Sequence, residues 1–535
     1  MAFDDIYPEG HQGGVCIIMN GHRVATNGDI RLEATPGQWQ PVPKQLDRKL
    51  SDNSITATLC YPDSSRHLTG FNPMIYPDLH LIYTVNVESK GKNIEVTVDL
   101  DRPIPQEFIG KVGFNLEFFP GSLFGKPWIM DGQSGIFPQQ PNSPLMTTQP
   151  NYLHTGNYHD GKQSLADMDK LIGKGYSPIV ADDIISEPYA KGRKFTSRPD
   201  DPYNKVTIES LSGDLQLFDG RMNHNNGWFV LRSNIKPGVT KGAVKWIITP
   251  NVVADWMYQP VIQTSQIGYH PAQDKEAVIE MDIRDNRKET AQIIRIDADG
   301  EKVVKNVTPA NWGKFLRYNY LKVDFTDVKE AGLYKIKYDT SVSPIFRIDN
   351  DVYARGVWQP VLEYFLPVQM CHMRVNEKYR VWHDCCHMDD ARMAPAHNHI
   401  DGYDQKEGLS KFKSGEVVPG VNIGGWHDAG DFDLRIESQA GESYILALAY
   451  EAFHPNLDVT SIDQINRVTE IHQPDGKNDL LQQVENGALT VVNGYLALGR
   501  LYRGIICNDL RQYVLLGDAA AMTDGKIGNE DDRWI

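Results

Sequence analysis

His80-Leu81-Ile82-Tyr83-Thr84-Val85-Asn86-Val87-Glu88-Ser89-Lys90-Gly91-Lys92-Asn93-Ile94-Glu95-Val96-Thr97-Val98-Asp99-Leu100-Asp101 sets the fold class of the first part of this chain. Tyr83, Val85 and Val87 alternate with polar residues, as a strand with one buried face requires, because successive side chains of a strand point to opposite faces. A Gly-containing turn lies between Ser89 and Asn93, and Ile94, Val96, Val98 and Leu100 resume the alternation, which predicts a β-hairpin. Similar short runs recur at 54–60, 113–119, 228–233 and 244–252, separated by loops rich in Gly, Pro and Asn. Together they predict a large β-sandwich over residues 1–258. The aromatic, Gly- and Pro-containing stretch 118–128 within it is expected to fold onto the sandwich core, with a sugar-contacting edge as the alternative.

At 535 residues the chain is long enough for several domains. Its net charge of −16, from 54 basic and 70 acidic side chains, argues against nucleic acid as a partner and leaves an uncharged polysaccharide acceptable. No apolar run reaches the length of a membrane span, and the opening Met-Ala-Phe-Asp-Asp is not a secretory signal. Cys16 and Cys60 lie far from Cys371, Cys385, Cys386 and Cys507, so the cysteines suggest a metal site near Cys371 in place of a disulfide framework.

The chemistry concentrates in Gly424-Gly425-Trp426-His427-Asp428-Ala429-Gly430-Asp431-Phe432-Asp433. Asp428 and Asp431 flank a Gly that permits a tight turn, so both carboxylates can converge on one water molecule. Trp426 offers an apolar face to a sugar ring, and His427 a metal ligand or proton carrier. Two other readings fit the same residues. Asp-Ala-Gly-Asp can be turn punctuation with Asp capping a helix, and Asp428, Asp431 and Asp433 could hold Ca2+, although their spacing is not that of the EF-hand.

The string Gly424 to Asp431 resembles the signature of glycoside hydrolase family 9, inverting β-glucanases that include many cellulases. The resemblance implies Asp431 as general base and Asp428 as its partner on the nucleophilic water; Phe432 and Asp433 depart from the residues that often follow the motif. A second resemblance is independent of the first. Gln266-Ile267-Gly268-Tyr269-His270-Pro271, Ala277-Val278-Ile279, Asp324-Phe325-Thr326-Asp327-Val328 and Ala331-Gly332-Leu333-Tyr334 resemble the Ig-like domain that precedes the catalytic domain in a subgroup of these hydrolases. It is placed at 259–350 and read as a structural brace.

From residue 351 the apolar spacing becomes helical, at 353–373, 435–453 and 478–507, with Asn478 and Asp479 suited to a helix start. The resemblance implies that residues 351–535 form the N-terminal part of an (α/α)6 barrel. Cys371, Cys386, His387 and His427 can supply two thiolates and two imidazoles, a donor set suited to zinc, while buried cysteines beside a hydrogen-bonded histidine would explain the same residues. Family members with the Ig-like module often hold a structural zinc at the matching positions, so the resemblance implies Zn2+ here, with Cys385 as a rival for Cys386.

An inverting hydrolase needs a second carboxyl group, the general acid, about 6.5–9.5 Å from the base. In the family this is a Glu near the end of the catalytic domain, and no later Glu of this chain matches its motif. Twelve helices of roughly 20 to 35 residues with their loops also need more chain than 351–535 supplies. The expectation is a C-terminally incomplete hydrolase whose acid lies beyond Ile535, inactive as this fragment alone. Its expected action is inverting, endo-acting hydrolysis of β-1,4-linked glucan (cellulose, mixed-linkage glucan or xyloglucan) in a secreted, periplasmic or cell-surface setting. The alternatives are a non-catalytic carbohydrate-binding or surface glycan protein, and an exo-acting glucosaminidase or cellobiosidase of the same family.

Overall fold

The predicted hairpin forms from Leu81–Lys90 and Asn93–Leu100, with Lys90 paired to Asn93 across Gly91 and Lys92. It is seen in a computed structural model that describes residues 14–33, 43–63, 79–143, 145–147, 184–222, 227–363, 366, 369–389, 391–394, 408, 410–428, 433–507 and 533–534. The hairpin sits inside a nine-stranded sheet that also takes in the predicted strands Ser54–Tyr61 and Val244–Pro250. A six-stranded sheet faces it and contains the other two predicted strands, Val112–Phe118 and Phe229–Asn234. Rings from the two sheets meet edge-on in the core, Phe114 against Trp246 at 5.1 Å and Phe118 against Phe195 at 5.8 Å. The indole N–H of Trp246 donates to Ser233 Oγ at 3.1 Å, satisfying its one polar atom across the layers.

The six-stranded sheet departs from simple alternation. Every residue of Val112–Phe118 is buried, as are residues 25–32 of the neighbouring strand, so polar side chains between the apolar ones are removed from water too. They pair among themselves. Tyr83 Oη donates to Asp29 Oδ1 at 2.5 Å, Asn27 Nδ2 to Glu117 Oε2 at 2.6 Å, and Arg232 Nη1 to Asn115 Oδ1 at 2.7 Å. Burial pushes the Asp29 carboxyl above its usual range, opposed by the nearby Arg31. The 118–128 stretch lies on the core as expected. Phe119 meets Trp228 edge-on at 4.8 Å, and Leu123 and Trp128 are buried.

The chain separates into two compact units, one drawn from Ile18–His22 and Val252–Tyr364 and the other from the rest of the described chain. In the smaller unit, a four-stranded sheet (Val261–Gln263, Glu276–Asp282, Tyr318–Asp324, Ala310–Phe315) and a second sheet built on Ala291–Asp297 and Gly332–Tyr338 enclose one core. Ile279, Leu321, Val323, Ile336 and Phe346 fill it. Two core tyrosines anchor loops by their hydroxyls: Tyr334 Oη donates to Glu330 O at 2.8 Å, and Tyr269 Oη to Glu276 O at 3.2 Å. Beside the sheet, Arg284 donates to Asp282 and holds its carboxyl well below the usual range.

Two long helices appear in the last part, Ile436–Phe453 and Asp479–Leu498, and they pack on each other. The second starts where the sequence indicates, with the Asn478 side chain accepting from Leu480 N at 3.1 Å. It ends earlier than the spacing suggests, because Gly499 takes a left-handed cap at φ +73° and the chain continues into the strand Gly504–Cys507. Of the helix expected over 353–373, the described residues form only Gln359–Glu363, and Arg374–Glu377 is a strand. Pro360 sits in the first turn of this short helix, where its missing N–H is tolerated. Among the described residues no helix is long and apolar enough to cross a membrane.

The two helices touch through Gly487. A Cβ there would stand 2.2 Å from Ser443 Oγ and 2.3 Å from Trp426 Cζ3. An exposed helical Gly→Ala change stabilises by up to about 1 kcal/mol, but Gly487→Ala should reverse that sign and destabilise by about 1–3 kcal/mol, measurable by denaturant unfolding. Asp282→Asn should lower the melting temperature at neutral pH. The lowered carboxyl contributes stability above its unfolded value near pH 4 and loses it as pH falls towards its folded one, so the gap from wild type should close on acidification in a pH series of melting curves.

Candidate metal centre and carboxylate loop

Residues Gly424–Asp428 form a connecting segment whose backbone is held on three sides. Gly424 (φ +69°) runs so close to the second long helix that a Cβ would stand 2.3 Å from Asn486 O, which makes Gly mandatory. Gly425 N donates to Asn486 O at 2.9 Å, and Asn486 Nδ2 returns a bond to Gly425 O at 3.1 Å. From the first long helix, Gln439 clasps Trp426: Trp426 N donates to Gln439 Oε1 at 2.8 Å, and Gln439 Nε2 to Trp426 O at 2.9 Å. On the third side, Cys371 N donates to Gly425 O at 3.0 Å and His427 N to Gln369 O at 2.6 Å. Both peptide groups of Gly425 and Trp426 and the N–H of His427 thereby find partners, which fixes the path of the stretch.

Trp426 does not present a face to a ligand. Its side chain is only 1% exposed, packs with Leu366, Met370, Met373, Val375, Ile462 and Ile471, and donates its indole N–H to Gln483 Oε1 at 3.0 Å. The sugar-stacking expectation is corrected to a packing role: the indole pins the segment between the helices, and its bulk supplies the apolar contact that holds it there. The Gln483 amide oxygen is the acceptor that the buried indole N–H needs.

Beyond Trp426 the chain reaches Cys371, Cys386 and His427, whose donor atoms all lie within 4.8 Å of one another. Cys386 Sγ is 3.5 Å from Cys371 Sγ and 3.3 Å from His427 Nε2, and neither cysteine is in a disulfide. A tetrahedral zinc with ordinary bond lengths separates two sulfurs by about 3.8 Å and a sulfur from a nitrogen by about 3.5 Å. The cluster fits such an ion closely. Its hydrogen bond with Cys371, then His427, holds the Cys386 thiol well below the usual range, against the opposing effect of burial. The fourth sequence-assigned ligand, His387, is buried with its ring centroid 5.1 Å from that of His427, but is not among the donors within 4.8 Å.

Two further histidines line this centre. His372 is fully buried, its backbone N donates to Cys386 Sγ at 3.3 Å, and its Nδ1 is 2.9 Å from Gly424 O. A carbonyl only accepts, so Nδ1 carries the proton and Nε2 is unprotonated in the neutral ring. His383 places its ring 6.4 Å from that of His427. The adjacency of His372 to Cys371 was the one sequence signal for either.

Asp428 lies on the open side, with 42% of its side chain exposed. Its N donates to Asp433 O at 2.7 Å, and Gln369 Nε2 donates to its carbonyl at 3.1 Å. Arg435 reaches both acids: Nε lies 3.3 Å from Asp428 Oδ2, and Nη2 donates to Asp433 Oδ2 at 3.2 Å. Glu442, on the first long helix, has its carboxyl raised by burial and then by the charge of Asp428. Asp431 falls at a position outside the described residues.

A model of the cellulase N-terminal Ig-like domain matches residues 257–343. No curated protein matches the chain. Among solved structures, a Zn-binding triple mutant of the GH family 9 endoglucanase J30 is similar at 23% identity and a TM-score of 0.34, over 44% of this chain and 40% of that one. A Bacteroides ovatus GH9 protein is similar at 20% identity and a TM-score of 0.34, over 46% of this chain and 41% of that one. The chain spans about two fifths of the length of these structures. Residues 257–343 are thus similar to the N-terminal Ig-like domain of cellulases.

Proposed function

We propose that the protein is an inverting glycoside hydrolase of family 9 acting on β-1,4-linked glucan, with Asp431 as general base and Asp428 as its partner on the water. The observation that carries this reading is the Gly424–Asp428 segment, whose backbone is locked by Asn486, Gln439 and Gln369 so that one side chain, His427, joins a thiol cluster and the next, Asp428, reaches solvent. Such immobilisation suits a group that must hold a water in one place. The cellulase-type Ig-like domain in the same chain supports the substrate class.

In the reaction, the Asp431 carboxylate takes a proton from the water as that water attacks the anomeric carbon, and Asp428 orients it. A second carboxyl group protonates the leaving oxygen; no residue of this chain is assigned that role. Cys371, Cys386 and His427, joined by His387, would hold a structural zinc. Bound there, the ion supplies a rigid anchor for His427, next to Asp428, and takes no part in proton transfer. The two long helices belong, on this reading, to the shell of an (α/α)6 barrel. Tyr444, Ile445, Leu448 and Phe453 on one and Val492, Tyr495 and Leu496 on the other are exposed apolar residues of the kind a helical shell covers. Secretion or cell-surface display fits a polymer substrate.

NMR of soluble β-glucan hydrolysis by the full-length protein should show first-formed product of inverted anomeric configuration, and Asp431→Ala should lower kcat by about 10²–10⁴-fold; retained configuration, or undiminished turnover in that variant, sinks the mechanism. Metal analysis should give one zinc per chain in the wild type and a clear deficit in Cys386→Ala, whose melting temperature should no longer respond to chelator.

A further inference from the structure

The Arg435 guanidinium occupies an unusual position for a structural ion pair. It is itself buried; of the acids it meets among the described residues, Asp433 is fully buried, while Asp428 is two fifths open to solvent. On one edge of the guanidinium plane, Nη2 donates to Asp433 and Nε stands at ion-pair distance from Asp428. Arg435 is further fixed by its backbone, paired with Gly504 in a short antiparallel ladder and standing at the N-cap of the first long helix. The two acids are also joined through the backbone, Asp428 N donating to Asp433 O at 2.7 Å.

We infer that Arg435 is a positioning residue for Asp428: anchored on Asp433, it sets the rotamer of the Asp428 carboxylate and so the place where that carboxylate can hold water. This rests on the reading of Asp428 as a water-holding group. Burying an arginine costs several kcal/mol of desolvation unless its charge is matched. Asp433, itself buried, meets that charge on one side, and the contact to the solvent-reaching Asp428 directs the same guanidinium at the open side. A lysine would supply a point charge in place of an edge and could not hold both acids in this geometry. Glu442 faces the same carboxylate from the helix, and the cation offsets its repulsion when both acids are ionised.

The test uses the full-length, zinc-replete protein and its Arg435→Lys, Arg435→Gln and Arg435→Ala variants, with melting temperature and zinc content measured alongside kinetics. The expected result is a fall in kcat of about 100-fold in Arg435→Lys and Arg435→Gln, with KM changed by less than about threefold, because misplacing a water-holding carboxylate leaves ground-state sugar binding intact. Added guanidinium ion should restore part of the kcat of Arg435→Ala and none of that of Asp428→Asn. Wild-type kcat in a folded Arg435→Gln, or a loss confined to KM, overturns the inference. So does a loss in Arg435→Lys and Arg435→Ala that tracks lowered stability or zinc content and does not respond to guanidinium. Asp428→Asn separates the two levels. If it keeps full activity, the water-holding reading itself fails; if it is inactive while Arg435→Gln is not, only the role of Arg435 fails.

Discussion

The clasp between Gln439 and the backbone of Trp426 is the constraint on which the site depends. A primary amide presents a donor and an acceptor side by side, matching the C=O and N–H of one residue, so Gln439 satisfies the edge of Trp426 that its antiparallel bridge with Met370 leaves open. Without it, two buried peptide groups would lose their partners at a cost of about 1–3 kcal/mol each. The consequence is directional. With Trp426 pinned in the apolar cluster, His427 is delivered to the thiols and Asp428 to the open side.

The same logic explains the glycines and the two long helices. Gly424 lets the segment touch the carbonyl of Asn486, and Gly487 lets the indole of Trp426 lie against the second long helix. Each is a point where backbone or ring comes closer than any Cβ allows. The helices thus act as a mould for the segment that carries His427 and Asp428. Side chains on each, Gln439 on one and Gln483 and Asn486 on the other, present amides to it.

In the N-terminal sandwich, alternation in 80–101 marked strands correctly because one face of that hairpin carries polar groups that reach solvent at least in part. Asn115 and Glu117 also alternate with apolar residues, and on the same rule would face water; instead they are buried and paired with side chains from other strands. Local pattern reports polarity, but whether a polar face meets solvent or a hydrogen-bonded network depends on what lies over the sheet. The Ig-like module was legible as a whole, since its turn and core residues recur within a short span and pack into one core.

For the site, the sequence alone determined the residue types: a run of Gly, Trp, His and Asp, and cysteines whose softness favours zinc. The chemistry of a side chain is intrinsic to it, so this much needs no fold. Tertiary structure decided the assignments. Trp426 reads as a sugar platform until its indole is seen buried against Met370 and Ile471. His372, Gln439 and Arg435 belong to no motif, and only the fold brings them against Gly424, Trp426 and Asp428. Their roles come from distances across the chain, and a hydrogen bond or ion pair falls away within an ångström or so of its optimum, which linear spacing cannot specify.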